Sequence, residues 1–443
     1  MKKLMGILLA ASMVFSLAAC GSTADTAASS AAGTTATAEG SSDNQAPDVK
    51  VGAIILGDET EGYSAAHING IKEAAAELGM SDDQIVWKYK IPEGGKTADA
   101  AEDLVGQGCN LIISNSYGHQ TYMVEEAEKY PDVNFVAMTG DFAANSKLDN
   151  FYNAFTAVYQ SRYVSGVVAG MKVKELVESG TLTPETQPDS FTADGKVKIG
   201  YVGAYNYAEV VSGYTAFFLG VQSVYPDVEM EVMYTNSWFD IDKEGAAAEA
   251  LIANGAVIIG QHADSTGAPQ ACQEALKSGT TVYSIGYNID MLATAPDAAL
   301  TSATNNWGVY YTYAIAQAMR GQKVATNWVG GFDIGAVAIT QLGSACAAGT
   351  AEKVAEVEKA IHDGTLQVFD TSKFTISTKC TDGSYRTDDN GKVLVACATD
   401  TDSNFANDTD NAIIDGAYQE SYTQSAPSFV LRIDGIKELN ANS

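Results

Sequence analysis

A short loop of acids, small residues and one tyrosine follows the first apolar run of the chain. The run covers residues 51–56, VGAIIL, and the loop covers residues 57–63, GDETEGY. Its acids, Asp58, Glu59 and Glu61, would repel phosphate, and the loop lacks the glycine spacing of a dinucleotide-binding turn or a P-loop. The loop is therefore a candidate for ligand contact, but not a phosphate cradle.

Loops of similar composition follow the other short apolar runs. They cover residues 115–118 and 139–141 in the first part of the chain, and residues 204–207, 236–240, 261–265 and 286–288 in the second. Ligands of open α/β sheets bind at the carboxyl ends of the strands, where such loops meet. We therefore expect the two groups of loops to face each other across a cleft.

The segments between these loops predict the elements that position them. Residues 64–78 carry apolar side chains at helical spacing, and Ser64 is suited to cap that helix. The apolar runs have the length and composition of strands buried on both faces of a sheet. Strands that alternate with helices indicate parallel sheets, so the predicted fold class is α/β with two lobes.

The chain is expected to pass three times between the lobes, which makes a three-segment hinge. The first lobe is predicted over residues 48–155 and the second over residues 156–287. The chain would return to the first lobe over residues 288–327, which include a strand at 300–304. Residues 328–443 would return to the second lobe and add a C-terminal extension.

The N-terminus reads as an export signal. Residues 1–19 combine Lys2 and Lys3 with a largely apolar run, and Leu17-Ala18-Ala19-Cys20 matches the bacterial lipobox. Cys20 would then carry the lipid, residues 20–47 would form a flexible tether, and the protein would lie on the extracytoplasmic face of the cell membrane. The alternative is an ordinary signal peptide with a chance cysteine.

Two cysteines flank a predicted hairpin in the C-terminal extension. Cys380 and Cys397 lie near strands predicted at residues 369–376 and 392–396, with the turn at residues 389–391. In an exported protein such a pair is a candidate disulfide, and two thiols are the alternative.

The charge balance excludes nucleic acid as a partner. The chain has 26 basic and 55 acidic residues, a net charge of −29, whereas phosphate binding needs a basic surface. We expect no metal and no cofactor, because no Cys-x-x-Cys pair or histidine cluster is present. The acidic residues 399–410 lack the EF-hand pattern, which favours a solvated loop over a calcium site.

These features together resemble a bacterial ABC-transporter substrate-binding lipoprotein. More narrowly, the body is similar to the basic membrane protein (BMP) family, the purine-nucleoside-receptor-like lipoproteins, over about residues 49–345. The segments that carry the resemblance are VGAIILGDETEGYSAAHINGIKEAAAELG, NLIISNSYGHQTYMVEEAEKYPDVNFVAMTG, QSRYVSGVVAGM and TNSWFDIDKEGAAAEALIANGAVIIGQHADSTG. The resemblance implies a type I periplasmic-binding-protein fold whose two Rossmann-like lobes close on a nucleoside. It also implies an ABC permease as partner and no enzymatic activity.

The family pattern also implies which residues bind the ligand. The base would lie between an aromatic ring of each lobe, Tyr63 in the first and Trp238 or Phe239 in the second. The expected ligand-binding residues are Asp58, Tyr63, Asn115, Ser116, Trp238, Phe239, Asp240, Asp264 and Asn288.

Two positions depart from the family pattern, and the first loop is shorter than the family's. The family has Gly-Val-Asp, with an aspartate that binds the ribose hydroxyls, where this chain has Gly286-Tyr287-Asn288. Many members have a lysine where this chain has Asn305, Asn306 and Trp307. A modified nucleoside, a free base or a sugar therefore stays open as the ligand.

Two other classes of function also stay open. A nucleoside or glycoside hydrolase could use Asp58, Glu59 and Glu61 as paired acids. These lie close together in one loop, although a partner carboxylate could come from the other lobe. A surface sensor or adhesin could have the same fold. A DNA-binding regulator is excluded by the export signal and the acidity.

Overall fold

The computed structural model describes residues 48–381, 383–397, 411–421 and 424–441. The predicted signal peptide, the lipidation site Cys20, the tether to residue 47 and the acidic stretch 399–410 lie outside the described residues. No helix in the described part of the chain has the length and apolar character needed to cross a membrane.

Strands and helices alternate through the first lobe. Its elements are β1 (Val51–Ile54), α1 (Gly62–Glu77), β2 (Ile85–Lys88), α2 (Lys96–Gly106), β3 (Leu111–Ser114), α3 (Gln120–Lys129), β4 (Asn134–Met138), α4 (Ala143–Ser146) and β5 (Phe151–Thr156). All four residues of β1 are buried, because helices cover both faces of the sheet.

The second lobe repeats the same alternation. Its elements are α5 (Val158–Glu178), β6 (Val197–Gly203), α6 (Ala208–Gln222), β7 (Val228–Tyr234), α7 (Ile241–Ala253), β8 (Ile258–Gln261), α8 (Gly267–Lys277), β9 (Tyr283–Tyr287) and β10 (Ala299–Asn305). The rest of the chain adds α9 (Trp307–Met319), β11 (Asn327–Gly330), β12 (Val337–Ile339), α10 (Thr350–His362), β13 (Tyr385–Thr387), β14 (Val393–Ala396), β15 (Ile413–Ile414), β16 (Ala417–Tyr418) and β17 (Ile436–Glu438).

Two large sheets organise these elements. The first has the order β11-β5-β4-β3-β1-β2 and is parallel throughout. The second has the order β12-β10-β9-β8-β6-β7-β17 and is parallel except for β12. The α/β class with two parallel-sheet lobes, predicted from the alternation of apolar runs and helices, is confirmed.

The chain crosses back to the first lobe later than predicted. The strand predicted at residues 300–304 belongs to β10, which pairs with β9 in the second sheet, so its prediction for the first lobe is wrong. The crossing lies at Asn306, after which α9 packs on α1. The sequence could not show this, because the small residues of β10 suit either sheet. The segment predicted at 329–339 is also divided, since β11 joins the first sheet and β12 the second.

The C-terminal extension packs mainly on the second lobe. Phe369 stacks on Tyr159 of α5 at 5.3 Å between ring centroids, and β17 adds the last strand beside β7. The segment also contacts the first lobe, since Ser425 Oγ donates to the Gly140 carbonyl oxygen at 3.0 Å.

The predicted hairpin forms with a different first strand. β14 pairs with β13, not with residues 369–376, and the turn is Asp388 to Gly391. Cys397 N donates to the carbonyl oxygen of Ser384 at 2.8 Å, so Cys397 lies across from Ser384. A disulfide between Cys380 and Cys397 stays a prediction.

Candidate functional site

A cavity of about 460 Å³ lies where the loops at the carboxyl ends of both sheets meet. It is lined by Leu56, Gly57, Asp58, Thr60, Glu61, Tyr63, Lys90, Pro92, Glu93, Ser116, Tyr117, Thr139, Tyr205, Glu209, Ser237, Trp238, Phe239, His262, Asp264 and Tyr287. The loops that the order of apolar runs selected therefore converge on one cavity. Both lobes contribute to its wall.

On the first-lobe side, Asp58 is paired with a lysine from the neighbouring loop. Lys90 Nζ lies 2.7 Å from the Asp58 carboxylate, which also accepts hydrogen bonds from the Thr60 hydroxyl and backbone N–H. Lys90, with these hydrogen bonds, lowers the pKa of Asp58 well below its usual range. Asp58 is therefore a charged acceptor whose negative charge is already offset.

Glu61 begins the first helix of this lobe. It accepts the backbone N–H groups of Tyr63 and Ser64, both at 3.2 Å, and so fills the capping place that the sequence predicts for Ser64. The Ser64 hydroxyl instead accepts the N–H of Gly57. Burial raises the pKa of Glu61, although these N–H donors oppose the effect.

Tyr63 is held in place from two sides. Its hydroxyl donates to the carbonyl oxygen of Asn115 at 2.5 Å, and its ring meets the edge of His67 at 4.5 Å between centroids. Burial raises the pKa of Tyr63 well above its ordinary value. The ring is therefore fixed before any ligand arrives, which lowers the entropy cost of binding.

Of the two neighbouring residues Asn115 and Ser116, only Ser116 lines the cavity. The side chain of Asn115 is fully buried, where it accepts Leu56 N–H at 2.8 Å and donates to Ser64 Oγ at 3.4 Å. Asn115 therefore joins the first two loops and does not line the cavity. Ser116 does line it, and its hydroxyl donates to Glu93 Oε1 at 2.6 Å.

Aromatic rings form the second-lobe wall. Trp238 meets the edge of Tyr205 at 5.0 Å between centroids, and Tyr205 stacks on Tyr207 at 5.2 Å. Phe239 lies at the rim and is 46% exposed. Asp240 does not line the cavity; its side chain caps α7 by accepting the Lys243 N–H at 3.1 Å.

The floor of the cavity holds buried titratable groups. His262 Nε2 lies 3.2 Å from Glu209 Oε1, and burial lowers the pKa of His262 to about 4, which leaves it neutral at pH 7. Asp264 is also buried, and its N–H donates to the carbonyl oxygen of Trp238. Burial, reinforced by the neighbouring Glu61 and other acids, raises the pKa of Asp264 well above its usual value.

Asn288 lies behind Asp264 and not at the cavity surface. Its Nδ2 donates to Asp264 Oδ1 at 2.6 Å, and only 4% of the residue is exposed. Its backbone has φ of 62°, in the left-handed region that asparagine tolerates better than most residues.

The cavity is rich in hydrogen-bond acceptors. Five of its lining residues are acids, namely Asp58, Glu61, Glu93, Glu209 and Asp264, against the single lysine Lys90. This lining favours a flat ligand with several N–H or O–H donors and disfavours an anion. No group of His, Cys, Asp or Glu suited to hold a metal ion occurs in the described ranges.

The three acids of the first loop do not form a hydrolytic pair. Asp58 is tied to Lys90 and Glu61 to the helix N-terminus. Glu59 is outside the cavity lining, with its side chain 55% exposed and 3.8 Å from Lys72. A glycosidase needs two carboxyl groups that face each other across the bond to be cleaved, and these three are each engaged elsewhere.

Sequence reasoning missed several lining residues. Tyr205 lies in a loop that the strand-end rule had selected, so the same rule could have singled it out. Glu209 is in the first turn of α6, and Tyr287 ends β9. Lys90 follows β2 with φ of 56°, and nothing in the sequence shows that it reaches Asp58.

Comparison with known proteins gives a family and several relatives. Residues 55–371 match the family described as ABC transporter substrate-binding protein, PnrA-like. A purine-binding protein of Brucella abortus (strain 2308) is 34% identical over 264 residues, which are 59% of this chain and 67% of that protein. A putative ABC transporter glucose-binding protein of Haloferax volcanii is 28% identical over 66% of this chain and 68% of that protein.

Solved structures share the fold at low sequence identity. A solute-binding protein of an ABC transporter system from Aeropyrum pernix K1 superposes with a TM-score of 0.59 at 17% identity, over 76% of this chain and 95% of that one. The corresponding protein from Conexibacter woesei gives a TM-score of 0.56 at 19% identity, over 72% and 98%.

Proposed function

The chain belongs to the family of PnrA-like ABC transporter substrate-binding proteins, and we propose that its cavity binds a purine nucleoside or a closely related ligand for import. Such proteins bind solutes and carry out no reaction on them. Closing of the two lobes on the ligand would be the state that the permease recognises.

The observation that carries the proposal is the pair of fixed aromatic rings from opposite lobes. Tyr63 and Trp238 both line the cavity, whose volume of about 460 Å³ falls within the range of small-molecule sites. Stacking on an aromatic side chain contributes about 1–3 kcal/mol per base. Acceptors such as Glu93 and Asp264 suit the amino group of a base and the hydroxyls of ribose.

The relatives support the same assignment and leave one second candidate. The Brucella relative is named a purine-binding protein, and the Haloferax relative is named a putative glucose-binding protein. Acidic acceptors beside aromatic rings also suit a sugar, so a sugar receptor of the same fold is the second candidate.

Titration calorimetry tests the ligand. The purified protein is unfolded and refolded to remove carried-over ligand, then titrated with inosine, guanosine, adenosine, cytidine, ribose and glucose. We expect purine nucleosides to bind at about micromolar Kd, near −8 kcal/mol, and Trp238→Ala to weaken that binding about 5- to 150-fold, which corresponds to the loss of about 1–3 kcal/mol of stacking. Trp87→Ala is the matched control, because Trp87 stacks on Tyr89 away from the cavity.

The outcomes separate the candidates. Binding of glucose or ribose alone would replace the nucleoside assignment with the sugar receptor. Equal loss of binding in the Trp87 and Trp238 variants would show that the effect comes from folding and not from stacking.

We also propose that the protein is anchored by a lipid on Cys20 at the extracytoplasmic face. The lipobox that ends at Cys20 supports this, together with membership in a family of extracytoplasmic receptors. Labelled palmitate should be incorporated into the wild type and not into Cys20→Ala, and labelling of both would refute the anchor.

A further inference from the structure

A chain of hydrogen bonds runs from the cavity to the hinge through two buried asparagines. Asn288 Nδ2 donates to Asp264 Oδ1 at 2.6 Å, and Asn305 Nδ2 donates to Asn288 Oδ1 at 3.2 Å. Thr156 Oγ1 donates to Asn305 Oδ1 at 2.5 Å. The four residues are 2–6% exposed, and we call them the relay.

The far end of the relay joins the two lobes. Thr156 is the last residue of β5 in the first sheet, and Asn305 is the last residue of β10 in the second. The chain passes between the lobes directly after each of them. The hydrogen bond between Thr156 and Asn305 therefore connects the two lobes at the hinge.

The near end of the relay is held rigidly. Asn288 N–H donates to the carbonyl oxygen of Ala303 at 2.9 Å, and its own carbonyl oxygen accepts Thr304 Oγ1 at 2.7 Å. With its backbone fixed on both sides, Asn288 presents Nδ2 to one oxygen of Asp264. Asp264 itself lines the cavity.

We propose that Asn288, Asn305 and Thr156 are positioning residues that orient the Asp264 carboxyl group toward the ligand and couple this orientation to the hinge. The coupling rests on the proposed function of the cavity as a solute site. Asn305 and Thr156 do not line the cavity, yet the affinity for the ligand depends on them. Removing one member leaves a buried partner unsatisfied, which is more costly than the loss of an exposed hydrogen bond.

The test compares variants that break the relay with variants that spare it. Thr156→Val removes the hydroxyl and keeps nearly the same side-chain shape, whereas Thr156→Ser keeps the hydroxyl. Asn305→Ala removes the central amide. Asn306→Ala is the matched control, because this next asparagine is exposed and donates to the Gly335 carbonyl oxygen instead.

Two readouts are measured on the full chain. Calorimetry with inosine should show affinity about tenfold weaker in Thr156→Val and Asn305→Ala, and within about twofold of wild type in Thr156→Ser and Asn306→Ala. Hydrogen exchange of the ligand-free protein, followed by mass spectrometry, should show faster exchange over residues 286–289 in the first two variants alone.

The outcomes distinguish this inference from the proposed function. If the wild type binds inosine and Thr156→Val binds it equally well, the relay does not position Asp264. If the wild type binds no nucleoside, the proposed function fails, and hydrogen exchange alone decides the relay. Unchanged hydrogen exchange over residues 286–289 in Thr156→Val would then refute the relay. The Thr156 pair gives the answer even if Asn305→Ala does not fold.

Discussion

His262 is a buried base at the cavity floor, and its environment makes protonation costly. It is 1% exposed, so burial is the main cause of its lowered pKa, and the nearby Arg162 acts in the same direction. Glu209 is the acid that opposes both effects. Arg162 is itself buried, with its guanidinium 3.6 Å from the Tyr287 ring centroid and Nη1 donating to the Gln261 carbonyl oxygen. A permanent cation therefore already lies near His262, and this disfavours a second positive charge there.

This arrangement predicts a loss of stability in mild acid. The pKa of His262 is about 4 in the folded protein, against about 6.5 in the unfolded chain, so between these values the unfolded state binds more protons. Stability contributed by neutral His262 is present above pH 6.5 and is lost as the pH falls toward 4. From pH 7 to pH 5 the expected loss is about 2 kcal/mol.

Urea unfolding of the wild type and His262→Gln at pH 7 and pH 5 measures this loss. Other groups also titrate in the same range, so the quantity of interest is the difference between the two proteins. The variant should lose about 2 kcal/mol less than the wild type. Equal losses in both proteins would mean that His262 is protonated freely in the folded state.

At the scale of elements, the contact between α5 and α6 depends on two glycines. A Cβ atom at Gly166 would lie 2.1 Å from the carbonyl oxygen of Phe217, and one at Gly220 would lie 2.1 Å from that of Tyr163. These neighbours are backbone atoms, so neither helix can yield by changing a side-chain rotamer. The two helices therefore approach as closely as their backbones allow.

Gly166→Ala should destabilise the protein by about 3 kcal/mol or more, because overpacking against backbone forces the helices apart. Gly245→Ala is the matched control, since that glycine lies in α7 with its nearest neighbouring atom 3.8 Å away. Alanine there should be neutral or should stabilise by up to about 1 kcal/mol. Urea unfolding measures both, and a Gly166→Ala variant as stable as the wild type would refute the close contact.

The alternation of strands and helices was predictable from the sequence. The sheet that each strand joins and the contacts between distant side chains were only partly predictable. Short apolar runs, each followed by a polar loop, predicted parallel sheets and located the loops at 57–63, 236–240 and 261–265 that line the cavity. The same reasoning misplaced β10, because strand composition does not identify the sheet that a strand joins. The ion pair of Lys90 with Asp58 and the relay through Asn305 join residues that are distant in sequence, so no local pattern could predict them.

At the scale of the whole molecule, the charge of the cavity follows that of the chain. The protein has a net charge of −29, and two of the acids that line the cavity, Glu93 and Glu209, lie outside the ion pair of Asp58 with Lys90. A ligand that carries phosphate would enter against both the general field and the local carboxylates. Two like charges about 8 Å apart repel by about 2 kcal/mol at an effective dielectric constant of about 20, and Glu93 and Glu209 act together.

We therefore expect inosine monophosphate to bind at least about a hundredfold more weakly than inosine. Calorimetry with both ligands measures the ratio of affinities.

Glu93→Gln removes a negative charge from the cavity wall and should therefore reduce the ratio of the two affinities several-fold. The local structure should be kept, because the glutamine side-chain oxygen can still accept the hydrogen bonds that Ser116 and Gly118 donate to Glu93 Oε1. Glu59→Gln removes the same charge from outside the cavity and should leave the ratio unchanged. If both variants reduce the ratio equally, the net charge of the whole protein excludes phosphate and the cavity carboxylates do not. Tight binding of the monophosphate by the wild type would refute the electrostatic argument.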